Sequence, residues 1–446
     1  MRSLNVYLGR RLIGSLEESN DLWRFRYETS WAAAEDAFDL SPSLPRSTPL
    51  HADGGSVRAV QWYFDNLLPE ELLRQAISRE AGIKGDDAFA LLEYLGAESA
   101  GALTLLPPGR AMPEATSARA LPDSSLSDRI RGLPRTTLTA GAPKRMSLAG
   151  AQHKLLIVYS RSAIFEPEGA TASTHILKPN HVDPNTYPQS VCNEYLTMRL
   201  AAAAGLPVPD VFIRHVPEPV YIVERFDRKV KWLGAAENGT PELSVERLHL
   251  IDACQLLNRS RTFKHSGATL ESLRQIIEHT TNKAHSRFQL FRWLVFNVLT
   301  GNDDCHLKNL SFLVSPDGIK LAPQYDLLAT SAYATRAFAA DKATWDAVPM
   351  AIPLTTAHTF GEVTRETIIS AGAELSVPAT VAERILKEVT SRVAQALPKE
   401  IQLLDKLYAT LPDSARVHAA GEKRVLSVIE HIIVPEMLNR MNPARP

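Results

Sequence analysis

The segment TGNDDCHLKN, Thr300 to Asn309, concentrates two carboxylates, a thiol, an imidazole, an ammonium and a carboxamide directly after the apolar run FRWLVFNVL. Asp304 and Asn309 stand five residues apart. That is the spacing by which a phosphoryl-transfer loop sets a carboxylate beside a substrate hydroxyl and a carboxamide oxygen on Mg²⁺. Asp326, in LAPQYDLLA, follows 22 residues later after two strand-like pieces, where a second carboxylate can return to the same metal. Two carboxylates within about 4 Å repel by roughly 4 kcal/mol at an effective dielectric near 20, so a divalent cation is the natural partner for Asp304 and Asp326 if the fold brings them together. Two other readings compete. Asp303 and Asp304 could simply cap a turn after Thr300 and Gly301, or Asp303, Asp304 and His306 could serve a metal hydrolase.

Residues upstream weigh toward phosphoryl transfer. Lys178 ends the apolar strand-like THILK, and Glu194 lies 16 residues further at the start of a helical pattern. A strand lysine held by a helix glutamate is how protein kinases place an ammonium against nucleotide phosphates. Ahead of them, MSLAGAQHKLLI sets Gly150 among small residues before a strand, so that backbone N–H groups can approach phosphate, with Lys154 adding charge. This is neither GxGxxG nor a Walker A loop. The order of small-residue loop, strand Lys, helix Glu, apolar strand, Asp-x4-Asn and Asp is nevertheless the kinase order, and a hydrolase leaves Lys178 and the VERFD strand unexplained.

The elements that must position these groups are readable in outline. Residues 3 to about 30 alternate apolar and polar side chains and predict short antiparallel strands. QWYFDNLLPEELLRQAISREAG predicts a helix, and DDAFALLEYLGAES a second one starting near Asp86 or Asp87. Residues 107 to 145 are rich in Pro, Ser, Gly and Arg without an apolar period and predict a linker or mobile loop. Beyond it, HKLLIVYS, THILKP and VYIVERF predict strands, NEYLTMRLAAAAGLPVP predicts a helix, and helical patterns dominate from Val245 to Leu299 and again toward the C-terminus. Strands first and helices afterwards predict an α+β chain of two lobes. The expected domains are 1–110, a linker at 111–145, a nucleotide lobe at 146–240 and a helical lobe at 241–446.

Composition bounds the function classes. The 446 residues are 45% hydrophobic and 22% charged, enough for a large core and more than one domain. Forty-nine basic against fifty acidic residues give a formal charge of -1, so no bulk basic field draws the chain to nucleic acid. Cys192, Cys254 and Cys305 share no metal-type spacing and, being odd in number, argue against a disulfide framework; a reducing cytoplasm is the expectation. No signal peptide or membrane span is expected.

The segments MSLAGAQHKLLI, THILKPN, CNEYLTMRLAAAAGLPVPD, YIVERFDRK, LIDACQLL, GNDDCHLKNLSFL and LAPQYDLLA together resemble the successive motifs of the HipA family, the kinase toxins of bacterial toxin-antitoxin pairs. YFDNLLPEE and FALLEYLGAESAGAL resemble that family's N-terminal domain, and the linker and residues 330–350 match least. The resemblance implies a two-lobed, protein-kinase-like α+β fold and an ATP- and Mg²⁺-dependent serine/threonine kinase. It implies Asp304 as the base, with His306 and Lys308 in the D-x-H-x-K-N loop and Lys308 near the γ-phosphate. Asn309 and Asp326 would hold Mg²⁺, and Lys178 would contact the phosphates. Glu224 and Phe226 would meet the adenine through their backbone, with Asp227 near the ribose. The loop Ser147, Leu148, Ala149, Gly150, Ala151 and Gln152, with Lys154, would cover the phosphates, Ser147 being the serine the family autophosphorylates with ejection of the loop. Glu194 enters only by analogy with ordinary protein kinases, and Cys305 departs from the small residue expected there. The implied partners are a helix-turn-helix antitoxin of HipB type, operator DNA through that antitoxin, and a translation component such as an aminoacyl-tRNA synthetase as substrate, with growth arrest as outcome.

Two alternatives of other classes stay open: a small-molecule phosphotransferase sharing Asp-x4-Asn, and a silent corepressor that binds its antitoxin without turnover. Other polar residues carry plainer expectations. His249 and His265 are read as surface or satisfied helix histidines, RSRTFK as a solvated turn, Trp62, Tyr63 and Phe64 as core, and Cys192 and Cys254 as small buried hydrophobes.

Overall fold

The structure is a computed structural model that describes residues 1–114, 116–147, 149–236, 239–339 and 344–441. The chain divides into two compact units. The first comprises Met1–Lys178, Val223–Lys264 and Ser311–Leu321; the second comprises Pro179–Ile222, His265–Leu310 and Ala322–Pro446. Among the described residues no helix is long and apolar enough to cross a membrane.

The first unit opens on an antiparallel five-stranded sheet in the order Leu50–Ala52, Leu22–Tyr27, Arg11–Ser19, Arg2–Leu8, Leu103–Leu106. Strict alternation in LWRFRY turns Trp23, Phe25 and Tyr27 inward and the residues between them out. Phe25 packs on Phe64 and Trp23 edge-on against Phe89, so the helices Ala59–Asp65 and Ala88–Leu95 cover the inner face. Gly14 is required by this packing, because a Cβ there would lie 2.5 Å from the Arg26 carbonyl. The helix expected over QWYFDNLLPEELLRQAISREAG is two, Ala59–Asp65 and Glu71–Ala81, divided around Pro69, whose missing N–H and ring break the ladder. Asp87 caps the next helix by accepting from the Ala90 N–H. Tyr63 and Phe64 are core, whereas Trp62 is half-buried.

Residues 111–145 are not simply linker. They contain the strand Thr116–Ala120 and the helix Asp123–Gly132. The strand pairs with Ala163–Gly169, which pairs in turn with Leu155–Ser160, and that strand with His175–Pro179. Here charge does what an apolar period would otherwise do: Arg119 and Arg129 converge on Glu166, whose side chain is almost wholly buried. Pattern reading misses such a segment because its few buried apolar side chains, Leu121, Leu126 and Leu138 among them, are too widely spaced to make a period, and ion pairs supply the rest.

Two later stretches also differ from expectation. Helices were expected from Val245, yet the strands Pro241–Arg247 and Leu250–Asp252 lie there, the latter pairing with Ser311–Ser315. His249 is in the loop between them and is buried, with Nε2 within hydrogen-bond distance of the Tyr63 hydroxyl and the Leu40 carbonyl. Burial lowers its pKa to about 4. The basic run after it is no solvated turn: Arg261 pairs with Asp65 at 3.0 Å, Lys264 with Glu70 and Glu71, and the Arg259 carbonyl accepts from Asn66. These bonds fasten the run to the N-terminal helices.

The second unit is mostly helical. Its core element is the helix Lys283–Leu299, in which Phe291, Trp293, Leu294, Val295, Phe296 and Leu299 are all buried, so the last two turns have no solvent face. Ser190–Ala203, Leu270–His279, Arg365–Glu374, the 31-residue Ala379–Ala409, Asp413–Val428 and Val434–Met441 complete the helices discussed here. Cys192 and Cys254 are buried, as expected, each in its own unit.

Candidate active site

The reactive segment begins where Lys283–Leu299 ends. Gly301 adopts φ +65°, its N–H donates to the Val298 carbonyl, and Asn302 N–H reaches back to the Asn297 carbonyl at 2.9 Å. This is the left-handed helix stop that glycine favours. A Cβ at Gly301 would also lie 3.0 Å from Ile433. Asn302 then organises the turn: its amide nitrogen donates to the Asn297 side chain at 2.7 Å and its side-chain oxygen accepts from the Asp304 N–H at 3.0 Å.

Three further bonds hold this loop to the segment carrying Asp326. Asp303 N–H donates to the Thr330 hydroxyl at 2.7 Å, and Ser331 N–H donates to the Gly301 carbonyl at 2.9 Å. The Tyr325 hydroxyl donates to the Lys308 carbonyl at 2.7 Å. Asn193, on helix Ser190–Ala203, clamps the same segment from its other side, accepting from the Ala329 N–H and donating to the Ala329 carbonyl. Asp326 itself has φ +58°, an uncommon backbone state for a non-glycine residue that this lacing supports.

Within the loop, Asn309 is buried and its amide nitrogen donates to the Asp304 carbonyl at 2.8 Å. The Asp304 side chain is 57% exposed, while His306, 3.9 Å from it, is nearly buried. Lys308 is buried as well. Asp303 is raised above the usual carboxylate pKa by burial, opposed by Thr330 and the nearby His265. Burial, with the charges of Asp304 and Asp303, pushes the Cys305 thiol up, so it is a poor nucleophile and packs as an apolar group. Asp304, Asn309 and Asp326 thus share one unit on two cross-tied loops, and a carboxylate with a carboxamide oxygen is a hard donor set that fits Mg²⁺.

The first unit carries the other expected residues. Ser147 is 1% exposed; its N–H donates to the Glu98 carbonyl and its hydroxyl to the Leu67 carbonyl at 2.6 Å. Gly150, at φ +105°, bridges to Pro69, and its carbonyl accepts from Glu70 N–H. Lys154 donates to the Ala149 carbonyl at 2.6 Å, bracing the loop from within. Ala151 and Gln152 are half-buried, and Leu148 lies outside the described residues. Lys178, at the end of strand His175–Pro179, is buried, as is Glu194 in the second unit. Glu224 and Phe226 are half-buried.

Asp227 departs from its expected place beside a ribose. It is buried, and its carboxylate accepts from Arg225, Arg228 and the Gly101 N–H. Burial acts against ionisation, but the two guanidinium groups overcome it and hold the pKa at about 2. It belongs to a buried ionic cluster around Glu98, which takes Lys144, Arg225 and Arg228 and accepts from Ser173. Burial would raise Glu98, yet the Lys144, Arg228, Arg225 and Arg247 charges together lower it well below the usual range. The Asp227 oxygens are thus engaged within this cluster.

A cross-tied Asp-x4-Asn loop and Asp segment, in an α+β fold of two lobes, define a protein kinase of the HipA type. The chain belongs to the HipA family: the HipA-like C-terminal domain matches residues 146–397 and the HipA N-terminal domain residues 4–106. It is 32% identical over 435 residues to Sinorhizobium fredii Y4mE, covering 94% of this chain and 96% of that one. To the serine/threonine-protein kinase toxin HipA of Shewanella oneidensis it is 31% identical over 351 residues, covering 74% and 76%. A solved structure of Shewanella oneidensis HipA with HipB and its operator DNA superposes with a TM-score of 0.75 at 26% identity, covering 99% of this chain and all of that one.

Sequence reading missed Asn193, Asn297, Asn302, Tyr325, Thr330 and the neighbourhood of His265. Asn193, Asn302 and Tyr325 sit inside the very motifs quoted for the catalytic residues, so their positions were visible and their roles were not. Hydrogen-bonding amides carry no period and no charge.

Proposed function

We propose that this kinase transfers the γ-phosphoryl group of ATP to a protein hydroxyl, with Asp304 accepting the hydroxyl proton as the new P–O bond forms. The observation that carries the reading is the pairing of an exposed Asp304 carboxylate with a loop whose backbone is fixed by Asn302, Thr330 and Tyr325. A fixed loop that presents an exposed carboxylate is what positioning catalysis requires. Asn309 and Asp326 would hold Mg²⁺, which supplies charge neutralisation on the phosphates when bound. Lys178 and Lys154 contribute positive charge toward the phosphates, Lys308 steadies the transferred group, and the backbone of Glu224 and Phe226 meets the adenine.

Ser147 is the self-phosphorylation site. Because its hydroxyl is buried against Leu67, modification requires the loop 147–152 to leave its seat, and a phosphate of nearly two charges cannot return to it. That coupling would switch the kinase off. The superposition with HipA bound to HipB and operator DNA supports a helix-turn-helix antitoxin as partner, with corepression through it. A near-neutral chain fits a division in which the antitoxin supplies most of the DNA contact. The substrate in this reading is a translation component, with an aminoacyl-tRNA synthetase as the specific candidate, and the outcome is growth arrest.

The test is incubation of the purified chain with γ-labelled ATP and Mg²⁺, alone and with a cell lysate, followed by mass spectrometry of labelled species. Label on Ser147 and on a lysate protein is expected. Label only on metabolites would make this a small-molecule kinase, and ATP binding without any label would make it a silent corepressor.

A further inference from the structure

One cluster in the second unit joins the expected base to a histidine that the catalytic reading leaves unused. His265, Asp304 and His306 each offer one ligand atom, and these atoms lie within 4.8 Å of one another. The two imidazoles meet edge to face with ring centroids 4.7 Å apart, and His306 Nε2 is 3.9 Å from the Asp304 carboxylate. The edge of a tetrahedral zinc site with ~2.0 Å bonds is about 3.3 Å, so rotation of exposed side chains closes the difference. His265 and Asp304 are exposed, which gives an ion an entry path. His306 is nearly buried, so one corner of the site is already fixed.

We propose that His265, Asp304 and His306 form a site for a borderline transition-metal cation of the Zn²⁺ or Co²⁺ type, and that its occupancy silences phosphoryl transfer. Donor chemistry separates this site from Asn309 and Asp326. Two imidazoles and one carboxylate prefer Zn²⁺ or Co²⁺, whereas a carboxylate with a carboxamide oxygen prefers Mg²⁺. Three protein ligands leave a fourth position open for water, as in exchangeable rather than structural zinc sites. The inhibitory consequence follows from the shared residue: an Asp304 carboxylate bound to the cation cannot accept a hydroxyl proton. The inhibition rests on the kinase reading above; the binding does not.

His265 makes the proposal separable, because it has no assigned part in transfer. Purified chain free of nucleotide is titrated with Co²⁺, following the visible absorption that tetrahedral cobalt acquires, and Zn²⁺ is then used to displace it. One equivalent should bind, and His265→Asn should weaken binding at least about 10-fold, since even outer-shell losses cost that much. In parallel, Mg²⁺-dependent transfer is measured at buffered free Zn²⁺. Zn²⁺ should inhibit the native chain, and His265→Asn should need at least tenfold more Zn²⁺ for the same inhibition while keeping its rate in Mg²⁺ alone. No stoichiometric Co²⁺ uptake, or uptake indifferent to His265→Asn, overturns the site. Uptake lost in the variant, with no transfer by either protein in Mg²⁺ alone, supports the site and overturns the kinase reading instead.

Discussion

Two polar regions of this chain are built on opposite principles. Around Glu98 in the first unit, carboxylates and guanidinium groups are buried together and paired: Lys144, Arg225 and Arg228 on Glu98, with Arg225 and Arg228 again on Asp227. Around Asp304 in the second unit, neutral groups tie the loop backbone, the amides of Asn302 and Asn309 and the hydroxyls of Thr330 and Tyr325, with Asn193 holding the segment that carries Asp326. Charge spent on charge makes a rigid joint that can do no chemistry. Charge held in place by neutral bonds stays available to a substrate. The contrast separates Asp227, whose carboxylate is buried among guanidinium groups, from Asp304, whose side chain is 57% exposed.

The comparison can be broken in several ways, beginning with the largest effect. Asp326→Ala should lower transfer by about 10²–10⁴-fold while costing only roughly 1–2 kcal/mol of stability, the strain of alanine at φ +58°, because no core cavity forms. Parallel activity and denaturant measurements check it, and a variant keeping most of its rate would remove Asp326 from the centre. Glu98→Gln should do the reverse, costing roughly 3–5 kcal/mol of stability by leaving buried cations undercompensated. Urea unfolding reads this directly.

His249 gives a pH signature to the first unit. Burial keeps it neutral in the fold, with a pKa of about 4 against 6.5 when unfolded. The unfolded chain therefore takes the proton first. Stability is full above pH 6.5 and falls as pH drops toward 4, by on the order of 3 kcal/mol from this group. His175, lowered to about 4 in the same way, adds to the slope. His249→Gln should flatten the curve of unfolding free energy against pH, and an unchanged slope would assign the loss elsewhere. Asn302→Ala should cost about 10–100-fold in kcat through misplacement of Asp304, with ATP affinity unchanged. Ser147→Ala is the smallest change, about 1 kcal/mol for the lost bond to Leu67, together with loss of self-phosphorylation on a phosphosite map.

Much of this was legible in the amino-acid sequence where period or reactive type carries the message. LWRFRY announces a half-buried strand, FRWLVFNVL a buried helix end, and the spacing of Asp304, Asn309 and Asp326 the two loops that the fold ties together. The misses have one physical cause. The segment 111–145 looked unstructured because its buried Leu121, Leu126 and Leu138 are spread too far apart to read as a stripe, and Arg119 and Arg129 anchor it further through Glu166. RSRTFK looked solvated because its acidic partners Asp65, Glu70 and Glu71 lie nearly 200 residues upstream. Asp227 looked available because, although Arg225 and Arg228 flank it in the sequence, neither its burial nor its bond from the Gly101 N–H is visible there.

The most direct test of the central claim compares the native chain with Asp304→Asn in paired measurements of Mg²⁺-ATP binding and phosphoryl transfer. Binding should be unchanged, since Asn309, Asp326 and Lys178 remain, and transfer should fall at least about 100-fold because the proton acceptor is gone. A variant that binds ATP and transfers at near the native rate would contradict the assignment of Asp304 as the base.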